Sequence, residues 1–137
     1  MSIIHIHVHV VFTTKNKQPF LSNSELRRRV FQHIKRYADR NGIWLDSVSG
    51  YSDHCHFLLS LKSEQCIADV VKRIKGESAF WINQNGLTDS HFGWQSGYWA
   101  KSVCPEAFLR TRRYIHSQEK RHSSDYNLSS SLFCSCF

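Results

Sequence analysis

A chain of 137 residues, 41% of them apolar, is long enough for one domain with a real hydrophobic core. Its 18 Lys and Arg against 11 Asp and Glu leave a net charge of +7, which favours polyanionic partners such as nucleic acid. The five cysteines (Cys55, Cys66, Cys104, Cys134, Cys136) are odd in number and lack C-x-x-C spacing, so neither a disulfide framework nor a zinc finger follows, and reduced thiols in a cytoplasmic protein are expected. No apolar run approaches the roughly 18 residues of a membrane span, and the first residues alternate apolar and His instead of forming an export signal.

Residues 3–12 alternate from Ile4 onward, with Ile4, Ile6, Val8 and Val10 on one face and His5, His7 and His9 on the other. Period-two alternation predicts a strand, whose histidines are either its polar face or part of a ligand site. Lys15, Asn16, Lys17, Gln18 and Pro19 then make a basic loop. Ser22-Asn23-Ser24-Glu25 fits a capping box, and Leu26, Val30, Ile34 and Tyr37 or Ala38 follow at helical spacing, so a first helix is predicted over about residues 23–41. Arg27, Arg28, Arg29, Lys35, Arg36 and Arg40 fall on its other face, which is either solvated or set against phosphates.

A second strand is predicted over Ile43 to Ser49, turned by Gly50-Tyr51-Ser52-Asp53 into a third that holds His54-Cys55-His56-Phe57-Leu58-Leu59. On that strand His54 and His56 share a face while Cys55 turns into the core, and His9 falls near the same open face. Two imidazoles on one face can bind a metal, or can be half-exposed strand histidines with nothing bound. A second helix is predicted from about Cys66 to Gln84, with Ile67, Val70, Val71, Ile74 and Trp81 on its buried stripe and Lys72, Arg73 and Lys75 off it. The aromatic and glycine-rich stretch from Phe92 to Val103 suits a loop and a last strand, its rings either packing a core or stacking bases. Pro105 opens a third helix running to about Arg121, and the Ser/Cys-rich residues 123–137 read as a poorly ordered tail beyond a domain of residues 1–122. The order β-α-β-β-α-β-α predicts an α+β fold of the ferredoxin-like split βαβ type. It has a four-stranded antiparallel sheet, helices on one face, the other face left for work, and an extra C-terminal helix.

On that C-terminal helix Tyr114 and Gln118 lie four apart and so share a face. A tyrosine is a weak nucleophile unless a cation or a metal-activated electrophile stands beside it, and a metal on His54, His56 and Gln118 would supply one beside Tyr114. Asp53-His54-Cys55-His56-Phe57-Leu58, Lys75-Gly76-Glu77-Ser78 with Trp81, Phe92 to Tyr98, and Tyr114-Ile115-His116-Ser117-Gln118 together resemble the single-tyrosine HUH transposases of bacterial insertion sequences, the TnpA-like family. The chain is also similar to the related REP-associated tyrosine transposases, which usually carry Asn-Pro where Gln118 stands. It departs from the family pattern at Arg121-His122, where a His pair is common, and in lacking an acidic final helix.

The resemblance implies a transposase that cuts and rejoins single-stranded DNA at element ends through a 5′-phosphotyrosine. It makes Tyr114 the nucleophile and His54, His56 and Gln118 the ligands of a divalent metal, Mg2+ or Mn2+, with no nucleotide cofactor. Lys15, Lys17, Arg28, Lys72, Lys75, Trp94, Arg110 and Arg113 are the expected DNA contacts. It further implies hairpin-bearing DNA as partner, a cytoplasmic bacterial or archaeal setting, no membrane, and a homodimer in which Tyr114 of one subunit completes the site of the other. Two competing readings are a domesticated, non-catalytic DNA- or RNA-binding module and a zinc hydrolase. Against the second stands the lack of an obvious Asp or Glu general base beside the His-x-His strand.

Overall fold

The structure, a computed structural model, describes residues 2–124. Four strands, β1 (Ile6–Thr13), β2 (Trp44–Tyr51), β3 (His54–Leu61) and β4 (Trp99–Val103), form one antiparallel sheet in the order β2-β3-β1-β4. Helices α1 (Ser24–Arg40) and α2 (Ile67–Gln84) connect them in the split βαβ pattern, and α3 (Phe108–His116) and α4 (Gln118–Ser124) follow. The expected tail lies outside the described residues, apart from the two serines that close α4.

The core forms where the alternating strand faces meet the apolar stripes of α1 and α2. Val8, Val10 and Phe12 of β1 and Cys55, Phe57 and Leu59 of β3 pack with Val30 and Ile34 of α1 and Val70, Val71 and Ile74 of α2. Phe12 stands edge-on to Phe57 and Trp94 at 5.8 and 4.7 Å, a geometry aromatic quadrupoles favour. Two expected core positions differ. Ile6 is 50% exposed because β1 begins there, beyond the reach of the helices, and on α2 it is Ser78 and Ile82 that are buried, while Trp81 is half-exposed and stacks on His33 at 3.9 Å.

The cap of α1 is Asn23, whose Oδ1 accepts from the N–H groups of Glu25 and Leu26. The β2–β3 hairpin is tighter than the predicted turn, since pairing continues to Tyr51 and resumes at His54, leaving Ser52 and Asp53 as the turn. Gly50 permits this approach, because a Cβ there would sit 2.1 Å from the His54 carbonyl oxygen.

The sheet's second face is not left open. The predicted helix from Pro105 is broken into a 3-10 turn (Pro105–Ala107), α3 and α4, and α3 lies across the face opposite the core, with Phe108 4.8 Å from His7 and Tyr114 above His9 and His56. The break falls at Ser117, whose hydroxyl donates to the Tyr114 carbonyl at 2.8 Å and so takes up an acceptor the helix would otherwise use. Arg112 anchors α3 to β2 with a two-pronged pair to Asp46, Nε to Oδ2 at 2.8 Å and Nη2 to Oδ1 at 2.6 Å. That pairing holds the Asp46 carboxyl below the usual carboxylate range, against a smaller upward push from burial.

Arg27, placed by periodicity on the solvated face of α1, is instead 4% exposed. Its guanidinium donates to the Leu21 and Ser22 carbonyls at 2.7 and 3.2 Å and to Glu119 of α4 at 2.7 Å. A side chain that long can cross the boundary between helix face and core when its head finds acceptors.

Candidate active site

The site is built on the sheet face that α3 covers. β1 and β3 are antiparallel neighbours with Val11 opposite His56 and His9 opposite Leu58, so His9, His54 and His56 point to one side. His54 and His56 are each 1% exposed and His9 8%, which removes the half-exposed alternative. The turn that launches β3 is fixed from outside, its Ser52 and Asp53 carbonyls accepting from the N–H groups of Leu21 and Thr14 at 2.9 and 2.8 Å.

Asp53 then accepts from His54 Nδ1 at 2.9 Å. A carboxylate partner at Nδ1 puts the ring proton there and directs the Nε2 lone pair away from it. Burial pushes the Asp53 carboxyl up, but the His54 hydrogen bond, with the neighbouring histidines and Lys17, outweighs this and leaves it below the usual range. His54 Nε2 faces Gln118 Oε1 at 3.4 Å. The amide's orientation is set by its own NH2 group, which donates to the Tyr114 carbonyl at 3.1 Å. His54 Nε2 and the Gln118 amide oxygen therefore face one point, an arrangement that suits a cation between them when Nε2 carries no proton. His122, one turn further along α4, brings its Nε2 to 3.1 Å from the same oxygen.

His56 Nδ1 lies 2.9 Å from His9 Nε2, and the two rings stack at 5.1 Å. Burial, followed by the neighbouring histidines, drives the His56 imidazole well below its ordinary pKa. Burial and then Lys101 bring His9 down to about 4, and burial and then His54 bring His122 down to about 4. These rings are therefore neutral at physiological pH, the state in which imidazole ligates a metal. Two imidazole nitrogens and an amide oxygen fit Mn2+ well and Mg2+ acceptably. Among the described residues, no group of three or more His, Cys, Asp or Glu is placed to hold a metal ion; the Gln118 amide oxygen, 3.4 Å from His54 Nε2, is a donor of another kind beside the histidines.

Tyr114 of α3 lies above this group, its ring 5.9 Å from that of His9 and 5.7 Å from that of His56 in the same chain. Arg121 sits over the tyrosine ring at 4.7 Å. Tyr114 opens onto a groove of about 1000 Å³ lined by Trp99, Lys101, Arg110, Arg113 and Arg121. The expected trans pairing of Tyr114 with a partner's histidines thus faces a chain whose own tyrosine already stands at its own histidines.

The expected DNA contacts fall into four pairs. Arg110 and Arg113 line the groove, and Lys15 and Lys17 are exposed on the 3-10 turn that follows β1, at the end of the sheet where Thr13 pairs with His54. Arg28 and Lys72 are exposed on α1 and α2, which cover the opposite face of the sheet. Lys75 and Trp94 have structural tasks instead of exposed ones. The Lys75 ammonium donates to the Gln95 and Gly97 carbonyls at 2.6 and 2.7 Å, and the Trp94 indole N–H donates to Ser78 Oγ at 2.9 Å while its ring packs on Phe12 and Phe92.

Sequence reasoning missed Lys101, Arg121 and His122 as members of the site. Lys101 was recoverable from register, since it lies opposite His9 on β4; Arg121 and His122 depend on the break at Ser117, which no spacing rule signals.

Comparison with known proteins agrees with this architecture. Residues 2–118 match the family described as "Transposase IS200 like", and the chain belongs to that family. It is accordingly a transposase, an enzyme of DNA recombination. It is 25% identical over 124 residues to the ISDra2 transposase TnpA of Deinococcus radiodurans, covering 87% of this chain and 88% of that one. The fold is shared with a crystallised Deinococcus radiodurans R1 protein assigned as a transposase (TM-score 0.68, 22% identity, 85% of this chain and 93% of the other). It is shared too with a REP-associated tyrosine transposase bound to a REP hairpin (TM-score 0.65, 14% identity, 89% of this chain and 71% of the other).

Proposed function

We propose that this transposase cleaves and rejoins single-stranded DNA through a covalent phosphotyrosine. Tyr114 is the nucleophile, and His54, His56 and Gln118 hold a divalent cation, Mg2+ or Mn2+. The observation that carries this reading is the convergence on one spot of the Tyr114 ring, 5.7 Å from that of His56, and the Gln118 amide oxygen, 3.4 Å from His54 Nε2.

In the forward step Tyr114 Oη bonds to phosphorus as the bond from phosphorus to the 3′-oxygen breaks. The phenol loses its proton and the leaving oxygen gains one, which gives a 5′-phosphotyrosine and a free 3′-hydroxyl. Attack by a 3′-hydroxyl on that linkage restores diester and phenol, so no nucleotide cofactor is needed. A bound cation would neutralise a non-bridging oxygen and stabilise the charge that develops on the phosphoryl group. The Arg121 guanidinium lies over the ring on which negative charge builds as the phenol ionises. Lys101, Arg110 and Arg113 line the groove where the flanking phosphates would run. The hairpin held by the structural neighbour supports hairpin-bearing DNA as the substrate class.

The test is a labelled single-strand assay on the flanking DNA of the source element with Mn2+ or Mg2+. Wild type is expected to give a covalent protein-DNA adduct, Tyr114→Phe to bind DNA without one, and His54→Ala and His56→Ala to lose metal-dependent cleavage. Cys55→Val is expected to retain it, since that side chain faces the core. An adduct of undiminished yield from Tyr114→Phe would refute the assignment, and hydrolysed product without adduct would favour the hydrolase.

A further inference from the structure

We propose that His9 is a positioning residue for His56. Its Nε2 accepts the Nδ1 proton of His56 and thereby leaves Nε2 as the nitrogen with which His56 meets a cation. The inference rests on the metal reading above and assigns a role to His9, the histidine of β1 that lies within hydrogen-bond distance of a proposed ligand.

Three observations support it. His9 Nε2 is 2.9 Å from His56 Nδ1 in a buried contact between residues 8% and 1% exposed, too enclosed for water to take over the bond. His9 is itself held, with the Trp99 ring edge-on at 5.2 Å and the Tyr114 ring at 5.9 Å. The arrangement also repeats at the other histidine, where Asp53 Oδ1 takes the Nδ1 proton of His54 at 2.9 Å. Both rings of the His-x-His pair thus have a hydrogen-bond partner at Nδ1, one a carboxylate and one an imidazole.

The direction of the shared proton decides the chemistry. With one proton between two neutral rings, either His9 Nε2–H donates to His56 Nδ1 or His56 Nδ1–H donates to His9 Nε2. The first places the remaining His56 proton on Nε2 and blocks ligation there; the second exposes the Nε2 lone pair and puts the His9 proton on its Nδ1. Cation binding selects the second. Acceptors that fix the tautomer and angle of a ligating His are worth about 10–100-fold in metal affinity.

Mn2+ binding followed by EPR, with no DNA present, reads this directly. His9→Phe keeps a ring of similar size but has no acceptor and is expected to bind Mn2+ about 10–100-fold more weakly than wild type. His9→Gln, whose Oε1 can accept from His56 Nδ1, is expected to recover most of that loss. Long-range 15N NMR with Mg2+ is expected to find His56 protonated at Nδ1 in wild type. His9→Phe binding Mn2+ as wild type does, while His54→Ala and His56→Ala do not bind it, would overturn the role of His9 and leave the metal site standing. Weak binding by His9→Phe and His9→Gln alike, both with wild-type melting temperature, would reduce His9 to a space-filling role and overturn the proposal. A wild type that binds no Mn2+ would remove the metal reading, and this inference with it.

Discussion

Arg27→Met separates two contributions of one buried guanidinium, a carbonyl cap ahead of α1 and an ion pair that ties α1 to α4, the helix that carries Gln118. Methionine keeps most of the apolar stem but removes the guanidinium, which donates to the Leu21 carbonyl at 2.7 Å, the Ser22 carbonyl at 3.2 Å and Glu119 Oε1 at 3.0 and 2.7 Å through Nε and Nη2. Leu21 is 0% exposed, so its carbonyl loses a donor in a dry place, a loss of about 1–3 kcal/mol. The Glu119 side chain is 50% exposed and can hydrate when the partner goes, so that ion pair contributes only about 0–1 kcal/mol. The contact of the guanidinium with the Tyr51 ring at 4.7 Å adds a fraction of a kcal/mol.

The expected destabilisation is about 2–4 kcal/mol, mostly from the carbonyl cap. For a chain of this size it lowers the melting temperature by about 8–16 °C at roughly 4 °C per kcal/mol. Urea unfolding of wild type, Arg27→Met and Glu119→Gln reads both contributions, with Glu119→Gln expected to cost about 1 kcal/mol or less. If Glu119→Gln cost as much as Arg27→Met, the ion pair and not the buried carbonyl cap would be the main stabilising contact of Arg27, and the reasoning would fail.

Affinity for single-stranded DNA should fall with salt at a log-log slope of about −0.7 per phosphate contacted, and Lys101→Ala or Arg113→Ala in the groove should flatten that slope, which a filter-binding series checks. A slope unchanged in both variants would place the DNA elsewhere. In native protein at pH 8, iodoacetamide should label the exposed Cys66 and Cys104 and spare Cys55, whose burial removes it from reagent and pushes its thiol pKa up. Rapid labelling of Cys55, seen by peptide mass spectrometry before unfolding, would contradict its core placement. Sedimentation on hairpin DNA should give two copies of the chain per complex, and mixing Tyr114→Phe with His54→Ala/His56→Ala protein should restore cleavage only if the subunits share sites. One copy per complex would remove the dimer.

The topology was legible because period-two and period-3.6 patterns are local, and here they agree with the packing. Ile4 to Val10, Leu26 to Ala38 and His54 to Leu59 each announce their element, and the face assignment of His54, His56 and Cys55 follows from strand geometry alone. Illegible were the features that depend on where distant chain segments end. Arg27 reads as a surface cation because nothing near it in sequence reveals the Leu21 carbonyl or Glu119, 92 residues away. Trp94 and Lys75 read as DNA contacts because aromatic and basic residues have two uses, and only the position of the Gln95–Gly97 loop against α2 decides between them.

The break at Ser117 turns a helix that carries a tyrosine into a mount for one. The Tyr114 carbonyl accepts from Ser117 N–H at 3.2 Å, Ser117 Oγ at 2.8 Å and Gln118 Nε2 at 3.1 Å, so the backbone that bears the tyrosine is fixed by three donors of the following turn. The same serine hydroxyl accepts from Arg121 Nε at 2.7 Å, which sets the guanidinium over the tyrosine ring. Upstream, Arg112 fixes α3 to β2 through Asp46; downstream, Arg27 fixes α4 to α1 through Glu119. Motion of either helix alone would therefore break a charge-assisted hydrogen bond, while the Tyr114 side chain is half-exposed at the groove. Under the mechanism proposed for Tyr114, a nucleophile that stays linked to a DNA end between cleavage and rejoining needs a backbone held still, so that the linkage returns to the same histidines.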